Sequence, residues 1–319
     1  PTAVTFFPIN VMRLAIVSET EQRVWTPGID LQAVITPAKN HVLTTGATFY
    51  RDRSSDGRLI STTTSMIGQV ALGARGPAAV VFPSPIQLGP PSTARPVRVP
   101  NAAFRDIAVF AQDEWRVAPR LSVIGGVRAD FYNVSTENTP GYDVAPVVAG
   151  AVPAIDPSTL PDANGESFGR RALTGDLGIV YNPGGQLNPF IRIGRSYRHP
   201  NLEELLFAGS VTAGSIAPSI KVKPETGTNF DIGTKFNVGR VSGGVYGFVN
   251  QYSNFISQEF VAATPSGPLA QAINFGDVRI RGLEFSLDAP IVTPYGVWAF
   301  NGSGAFTHGT IVEGIGPNG

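Results

Sequence analysis

The 319 residues include 36 glycines and 27 prolines and only 15% are charged, a composition typical of many strands and turns rather than of a soluble enzyme. Because 24 Lys and Arg balance 24 Asp and Glu, the charge predicts no nucleic-acid partner. The chain has no cysteine, which excludes disulfides, thiolate metal sites and cysteine nucleophiles.

Apolar residues recur with a period of two along most of the chain, as they do in strands with one apolar face. Leu173, Leu177 and Ile179, for example, share one parity, and Thr174 and Asp176 share the other. The pattern predicts about ten strands, near 23–36, 40–53, 103–117, 120–134, 168–182, 187–198, 223–237, 239–256, 271–288 and 294–310. No apolar stretch reaches the roughly eighteen residues of a transmembrane helix.

Short and long connections alternate between these strands. The short turns are Ala118–Arg120, Asn182–Gly185 and Asn237–Arg240. The long connections are rich in Pro, Gly, Ser and Ala and cover roughly 54–102, 135–167, 199–222 and 257–270. Short periplasmic turns and long extracellular loops are the layout of an outer-membrane barrel. The sequence therefore predicts an all-β fold, an antiparallel transmembrane β-barrel.

A soluble β-sandwich or β-propeller is the alternative fold, since its strands also alternate. The predicted strands of about 12–16 residues are longer than the roughly 5–6 residues usual in globular sheets. Connections of about thirty to fifty residues are also uncommon inside compact domains. Both observations favour the barrel.

Two arginines disturb the alternation in the segment Asp277–Phe285. Arg279 and Arg281 share parity with the apolar Leu283. A β-bulge at Gly282 would move them to the polar face, and we predict one there. Without it both arginines face lipid, at a cost of about 2–4 kcal/mol each near the bilayer midplane.

No catalytic or metal site is predicted. The three histidines, His41, His199 and His308, are far apart and lack metal-ligand spacing. The segment Gly314–Gly319 matches the pattern G-x-G-x-x-G, but Pro317 lies inside it and no helix follows to bind a phosphate. We interpret it as an extracellular loop.

Adjacent acidic residues occur twice, as Asp113 with Glu114 and as Glu203 with Glu204. Neighbouring residues of a strand point to opposite faces, so neither pair is expected to share a proton. We interpret all four as charges on the wet side of the sheet or at its rim.

Four segments carry motifs that occur in this order in one known family. The segment 109–131, VFAQDEWRVAPRLSVIGGVRADF, is a strand-turn-strand hairpin that ends with a glycine, an arginine and an acidic residue. The segment 195–205, RSYRHPNLEEL, is similar to an arginine-alanine-proline box, with His199 where alanine is more usual. KPETGTNFDIGTK (223–235) is similar to a proline-glutamate strand, and NFGDVRIRGLEF (274–285) to a glycine-x-glutamate strand. Together they resemble the barrel of TonB-dependent outer-membrane receptors.

The resemblance implies a 22-stranded barrel around a plug domain. Residues 1–319 are then part of one barrel domain, with about ten strands, and we expect the plug, the energy-coupling N-terminal segment and the terminal strands to lie outside them. The first residues also lack the features of a signal peptide.

The implied function is energy-coupled uptake of a scarce solute across the outer membrane of a Gram-negative-type bacterium. The family takes up ferric siderophores, haem, cobalamin, glycans and peptides, and the resemblance does not select among them. It implies no enzyme activity and no cofactor. The expected partners are the lipid bilayer, a small solute and a TonB-type coupling protein that acts through the missing N-terminal part. A structural or adhesive outer-membrane barrel without transport is the alternative.

Four charged residues fall on the polar parity of their predicted strands: Glu225, Asp231, Lys235 and Glu284. They are expected to line a wet lumen or to contact the plug. For His199 there are two interpretations, an incidental polar residue in a turn or a contributor to a haem or metal-chelate site.

The longest connection, 54–102, carries Arg58, Arg75, Arg95 and Arg98. These arginines are either solvated loop charges or an anion-binding group.

Overall fold

The computed structural model describes residues 9–73, 76–161, 165–211 and 214–314. The described strands form one 15-stranded sheet. They are β1 (Ile9–Trp25), β2 (Gly28–Ala38), β3 (His41–Gly73), β4 (Gly76–Gln87), β5 (Ser92–Ala94), β6 (Ala102–Ala118), β7 (Leu121–Thr136), β8 (Ser167–Tyr181), β9 (Leu187–Arg198), β10 (Gly209–Val211), β11 (Gly214–Ala217), β12 (Glu225–Val238), β13 (Val241–Thr264), β14 (Gly267–Thr293) and β15 (Gly296–Gly314). All ten predicted strands coincide with parts of these elements.

The long strands follow one another across the sheet in chain order, each antiparallel to its neighbours. Short turns join them at one end of the sheet, which we call the short-turn end. These turns lie at 39–40, 119–120, 182–186, 239–240 and 294–295. The opposite end, the loop end, carries the long connections 137–166 and 199–224, so the predicted alternation of turn lengths holds for two of the four predicted long connections.

The predicted strand 23–36 is interrupted at 26–27, where β1 ends and β2 begins. Both strands still pair with β3, one beyond the other. Pro27 has no N–H to donate to the ladder. Its carbonyl instead accepts a hydrogen bond from the Arg51 N–H at 3.0 Å. The missing donor explains the break.

The predicted loop 54–102 is wrong. Most of this segment is strand, because β3 continues to Gly73 and pairs with β1 on one side and with β4 and β5 on the other. The residues 54–65 are largely serine and threonine, which look like a loop in isolation. β-branched threonines favour an extended strand once a neighbouring strand is available.

The predicted loop 257–270 is also wrong, since β13 and β14 continue into a long hairpin that turns at 265–266. The other two long connections are present. One contains the short helix α1 (Ala145–Val148) and a 3-10 turn at Pro157–Thr159. The other contains the helix α2 (Leu202–Leu206) and the strands β10 and β11. β11 pairs with β14 in parallel, an exception to the predicted antiparallel sheet.

The two faces of the sheet differ in character. One, the outer face, exposes apolar side chains such as Leu173 (65% exposed) and Leu177 (50%). The other, the inner face, carries alternate polar residues and is partly covered by the connection between β9 and β12. Leu205 and Leu206 of that connection are buried against Phe104 and other residues of the inner face. None of the described helices is long and apolar enough to span a membrane.

The predicted bulge at Gly282 is wrong. The register of β14 with both neighbours continues without a shift through Gly282, and its nearest irregularity lies between Asp277 and Val278. Gly282 is a glycine for another reason, since a Cβ there would lie 2.7 Å from the ring of Phe248. Arg279 and Arg281 therefore stay on the outer face.

Candidate functional site

Arginines and carboxylates form ion pairs along the inner face. Near the centre of β7, Arg128 donates to Asp130 at 2.7 Å and lies 3.7 Å from Asp106. Two strands away, Arg192 of β9 lies 3.1 Å from Asp176 and 3.9 Å from Asp231. Each guanidinium thus forms ion pairs with two carboxylates, at least one of which lies on a neighbouring strand.

A groove of about 520 Å³ lies between these two clusters. Its lining includes five polar or charged residues of the inner face: Gln112, Arg128, Thr174, Asp176 and Arg192. A polar groove with both signs of charge suits a water-filled lumen or a polar partner surface.

Glu225, at the start of β12, is buried rather than facing a wet lumen as predicted. Glu225 is only 7% exposed. Both carboxylate oxygens accept hydrogen bonds from Arg198, at 2.7 and 2.8 Å, and one also accepts from the Ile256 N–H at 2.8 Å. Arg198 in turn pairs with Glu204 of α2 at 3.1 Å. This network attaches the connection that follows β9 to the inner face.

His199 lies in an aromatic cluster on the loop side of the inner face. Its ring stacks on Phe104 with centroids 4.5 Å apart and lies 5.3 Å from the ring of Tyr132. Tyr132 and Tyr197 share a hydrogen bond between their hydroxyls at 2.6 Å. Burial and the neighbouring Arg198 guanidinium lower the pKa of His199, so the ring is neutral at neutral pH. His199 is therefore a packed ring and not an incidental polar residue of a turn, while its contribution to a haem or metal-chelate site stays a prediction.

The other three predicted lumen residues lie on the inner face. Asp231 holds Arg192 as described, and Lys235 shares its parity on β12. Glu284 of β14 lies directly opposite Tyr246 of β13. The shared face of these three residues agrees with the sequence pattern, but the neighbours of Asp231 and Glu284 came only from the pairing of the strands.

The two pairs of adjacent acidic residues lie in different secondary structure, one on a strand and one on a helix. Asp113 and Glu114 lie on opposite faces of β6, as predicted, with Asp113 on the outer face. There the Asp113 carboxylate lies 2.6 Å from Nδ1 of His41, whose ring stacks on Trp115 at 5.6 Å. This cluster was not predicted, and because Asp113 lies on the outer face, its interpretation as a charge on the wet side of the sheet was wrong.

Glu203 and Glu204 lie on the helix α2 and not on a strand, so the argument from strand faces was wrong for them. Glu204 forms a capping box with Asn201, with hydrogen bonds of 2.7 and 2.8 Å. The sequence signal was present, because Asn followed three residues later by Glu is the pattern of a helix N-terminus.

The four arginines of segment 54–102 do not form one group. Arg58 lies within β3 and donates to Ser18 of β1 at 2.8 Å. Arg98 donates to the carbonyl of Ser210 at 2.7 Å and lies over the ring of Phe207. Arg95 follows β5, and Arg75 lies outside the described residues.

The histidines are separated in the structure as well as in the sequence. His308 of β15 faces Arg281 of β14, far from the clusters of His41 and His199. Within the part of the chain that the structure describes, no group of three or more His, Asp or Glu side chains is placed to hold a metal ion. The segment 315–319 of the glycine-rich motif lies outside the described residues.

A family model described as TonB dependent receptor-like, beta-barrel, matches residues 16–318. The chain belongs to this family. As a TonB-dependent receptor barrel segment, it forms an open sheet with β15 at one edge and β1 and β2 at the other, and so is a partial barrel.

Two solved structures show the same fold. The structure titled copper transporter OprC has a TM-score of 0.51 and 18% identity, over 91% of this chain and 43% of that one. The siderophore receptor PiuA from Acinetobacter baumannii has a TM-score of 0.52 and 12% identity, over 92% of this chain and 48% of that one. This TonB-dependent receptor segment therefore spans about half of the length of each. No curated protein sequence matches it.

Proposed function

We propose that this chain is part of the wall of an outer-membrane receptor that takes up a scarce solute with energy supplied from the inner membrane. The observation that carries the proposal is the difference between the two faces of the sheet. Exposed apolar side chains on the outer face suit lipid, and paired charges on the inner face suit an aqueous lumen. Membership of the receptor family supports the same function.

In this proposal residues 1–319 belong to one barrel domain, and the plug lies in another part of the protein. The arginine–carboxylate clusters around Arg128 and Arg192 then face the plug or the solute path. The connection after β9, fixed by Arg198 and Glu225, lies at the mouth of the lumen. Ion pairs that are already satisfied leave a polar wall without strong unpaired charge, so a solute can pass without being trapped.

The solutes to test first are chosen from the two proteins of the same fold, one named as a copper transporter and the other as a siderophore receptor. Both are metal cargoes, one free and one chelated. They enter the proposal as probes, and the receptor's own solute class is what the experiment identifies. No catalytic step is part of the proposed function.

The experiment deletes the complete gene in its bacterium and measures uptake of radioactive copper and of ferric siderophores first, and then of haem, cobalamin, glycan and peptide probes. The expected result is loss of uptake of one solute, restored by the complete gene but not in cells whose TonB-type protein has been deleted. Membrane fractionation is done on the same strains, and the receptor is expected in the outer membrane.

Two outcomes would contradict the proposal. A protein found in the outer membrane, with unchanged uptake of every metal, haem, cobalamin, glycan and peptide probe, would indicate a structural or adhesive barrel. A full-length protein that is soluble and monodisperse without detergent would exclude a membrane barrel altogether.

A further inference from the structure

A cavity of about 280 Å³ lies between the inner face of the sheet and the connection after β9. Three neighbouring strands form its floor. Val24 of β1 is the register partner of Ser54 of β3, and Asp52, one inward position nearer the short-turn end, is the partner of Phe104 of β6. The segment 199–203 lines the cavity on the side away from the sheet. We call this space the Asp52 cavity.

The Asp52 cavity lies near the outer surface of the membrane that the proposed function requires. A strand rises about 3.3 Å per residue and tilts by about 40°, so it climbs roughly 2.5 Å per residue along the membrane normal. Asp52 lies about eleven residues from the start of β3, or roughly 28 Å above the short-turn end. This height is above an apolar band of about 25 Å, so a solute can reach the cavity from the external water.

Two carboxylates of the cavity have no partner. Among the described residues, the side chains of Asp52 and Glu203 form no hydrogen bond and no ion pair, and Oδ1 of Asp52 is buried. Glu203 is exposed. Elsewhere on the inner face Asp130, Asp176 and Glu225 each pair with an arginine at 2.7–3.1 Å. A buried carboxylate oxygen without a partner is unfavourable, and a bound cation would stabilise it.

The remaining lining of the cavity suits an organic cation. Val24, Val99 and Phe104 contribute apolar surface, against which a hydrocarbon body can pack. Ser54, which is 8% exposed, adds a hydroxyl oxygen that can accept a hydrogen bond beside Asp52. The volume is near the lower end of the range for small-molecule sites, about 300–1,000 Å³. It therefore suits one small ligand.

The kind of cation follows from the groups that surround it. The ring of Phe104 already stacks on His199 and on Tyr132, with centroids 4.5 and 5.6 Å apart, so it is not free to form the aromatic cage that binds quaternary ammonium groups. Oxygen acceptors instead suit a primary ammonium group, which is compact and has three N–H donors. A metal ion is less suitable, because no group of three acidic or histidine ligands occurs among the described residues.

We infer that the Asp52 cavity binds a small organic cation, with its primary ammonium group on Asp52 and its apolar body against Val99 and Phe104. Glu203 at the mouth attracts the same charge. The inference rests on the proposed function only for the side of the membrane from which the cavity is reached. It adds a class of ligand, primary amines with an apolar body, to that proposal.

The test titrates 4-fluorophenethylammonium into the complete receptor in a maltoside detergent and measures its binding by fluorine NMR. In D52N, which keeps the shape of the side chain but removes its charge, we expect the dissociation constant to rise about ten-fold or more. The matched control is D288N, which removes an exposed carboxylate about five residues from the short-turn end of β14 and should bind as the wild type does.

Two analogues of the probe test the chemistry of the ligand. The alcohol 2-(4-fluorophenyl)ethanol has the same shape without the charge, and the trimethylated amine has the charge without N–H donors. Both should bind the wild type about ten-fold more weakly than the primary amine does, or not at all. Equal binding of the alcohol would show an apolar pocket, and equal binding of the trimethylated amine would show a site for any cation. Either result would overturn the inference.

Unchanged binding by folded D52N, an equal loss in D288N, or no binding by the wild type would also overturn it. Folding is checked for every variant by heat-modifiable migration on a denaturing gel. If D52N does not fold, V24W decides, because Val24 is 58% exposed and a larger side chain there narrows the cavity without a change of charge. The same loss of binding is expected. None of these measurements needs transport, so the inference and the proposed uptake can fail separately.

Discussion

Replacing Leu177 with arginine tests whether the outer face contacts lipid. Leu177 lies about four residues from the end of β8, which places it roughly 10 Å above the short-turn end and near the middle of the apolar band of about 25 Å. An arginine at the midplane of a barrel wall costs about 2–4 kcal/mol. We therefore expect L177R to lower the free energy of unfolding by about that amount.

The neighbouring substitution D176R is the control, because it places the same side chain on the inner face. It removes the carboxylate that lies 3.1 Å from Arg192, whose side chain is 54% exposed. Exposed pairs of this kind contribute about 0.2–1 kcal/mol, so the expected loss is about 1 kcal/mol. A difference of about 2 kcal/mol between the two variants changes the ratio of folded to unfolded protein by roughly 30-fold.

The assay is urea titration of the complete receptor refolded into phosphatidylcholine vesicles, followed by heat-modifiable migration. The expected midpoint is lower for L177R than for D176R, and that of D176R is close to the wild type. Equal midpoints would refute the assignment of the two faces, and a lower midpoint for D176R would reverse it.

Two further predictions concern the network at the loop side of the inner face. E225A removes the acceptor of the Ile256 N–H and one partner of Arg198, so we expect the free energy of unfolding in the same titration to fall by about 1–3 kcal/mol. The control is D231N, whose carboxylate oxygen lies 3.9 Å from Arg192 and which should change that free energy by less than about 1 kcal/mol. Equal effects of the two variants would contradict the argument from the burial of Glu225. Because the pKa of His199 is lowered in the folded state, the unfolded state binds more protons below about pH 6.5, and stability should fall as the pH falls through that value. The protection factors of the amides in the connection after β9, which compare each exchange rate with the intrinsic rate at the same pH, should therefore fall between pH 7.5 and 5 in the wild type and less in H199F; the same fall in both would contradict it.

The sequence predicted the long alternating strands well because each has its own signal. Leu177 and Asp176 fall on opposite parities. When one face of a strand is apolar, a shift of one residue would move every apolar side chain to the other face, so the register is strongly specified. The turns at 119–120 and 239–240 were predicted for the same local reason. Residues 54–65 lack such a signal, since their serines and threonines become strand through pairing with β1, β4 and β5.

The network around Arg198 shows what the sequence did not contain. Arg198 and Glu225 are 27 positions apart, and only the register of β9 with β12 makes them neighbours. The stacking of His199 on Phe104 likewise depends on contacts between distant segments. The bulge predicted at Gly282 was wrong because a glycine in a strand marks either a bulge or a close approach, and here the ring of Phe248 occupies the space.

The central claim is that the outer face of this sheet lies against lipid and the inner face against water. Since the chain has no cysteine, single cysteines at Leu173 and at Thr174 can be labelled with bimane in the complete receptor, provided that its other parts also lack cysteine or have it replaced. In vesicles of brominated phospholipid, strong quenching of the label at Leu173 and little quenching at Thr174 is the predicted result. Equal quenching at both positions, or stronger quenching at Thr174, would contradict the claim.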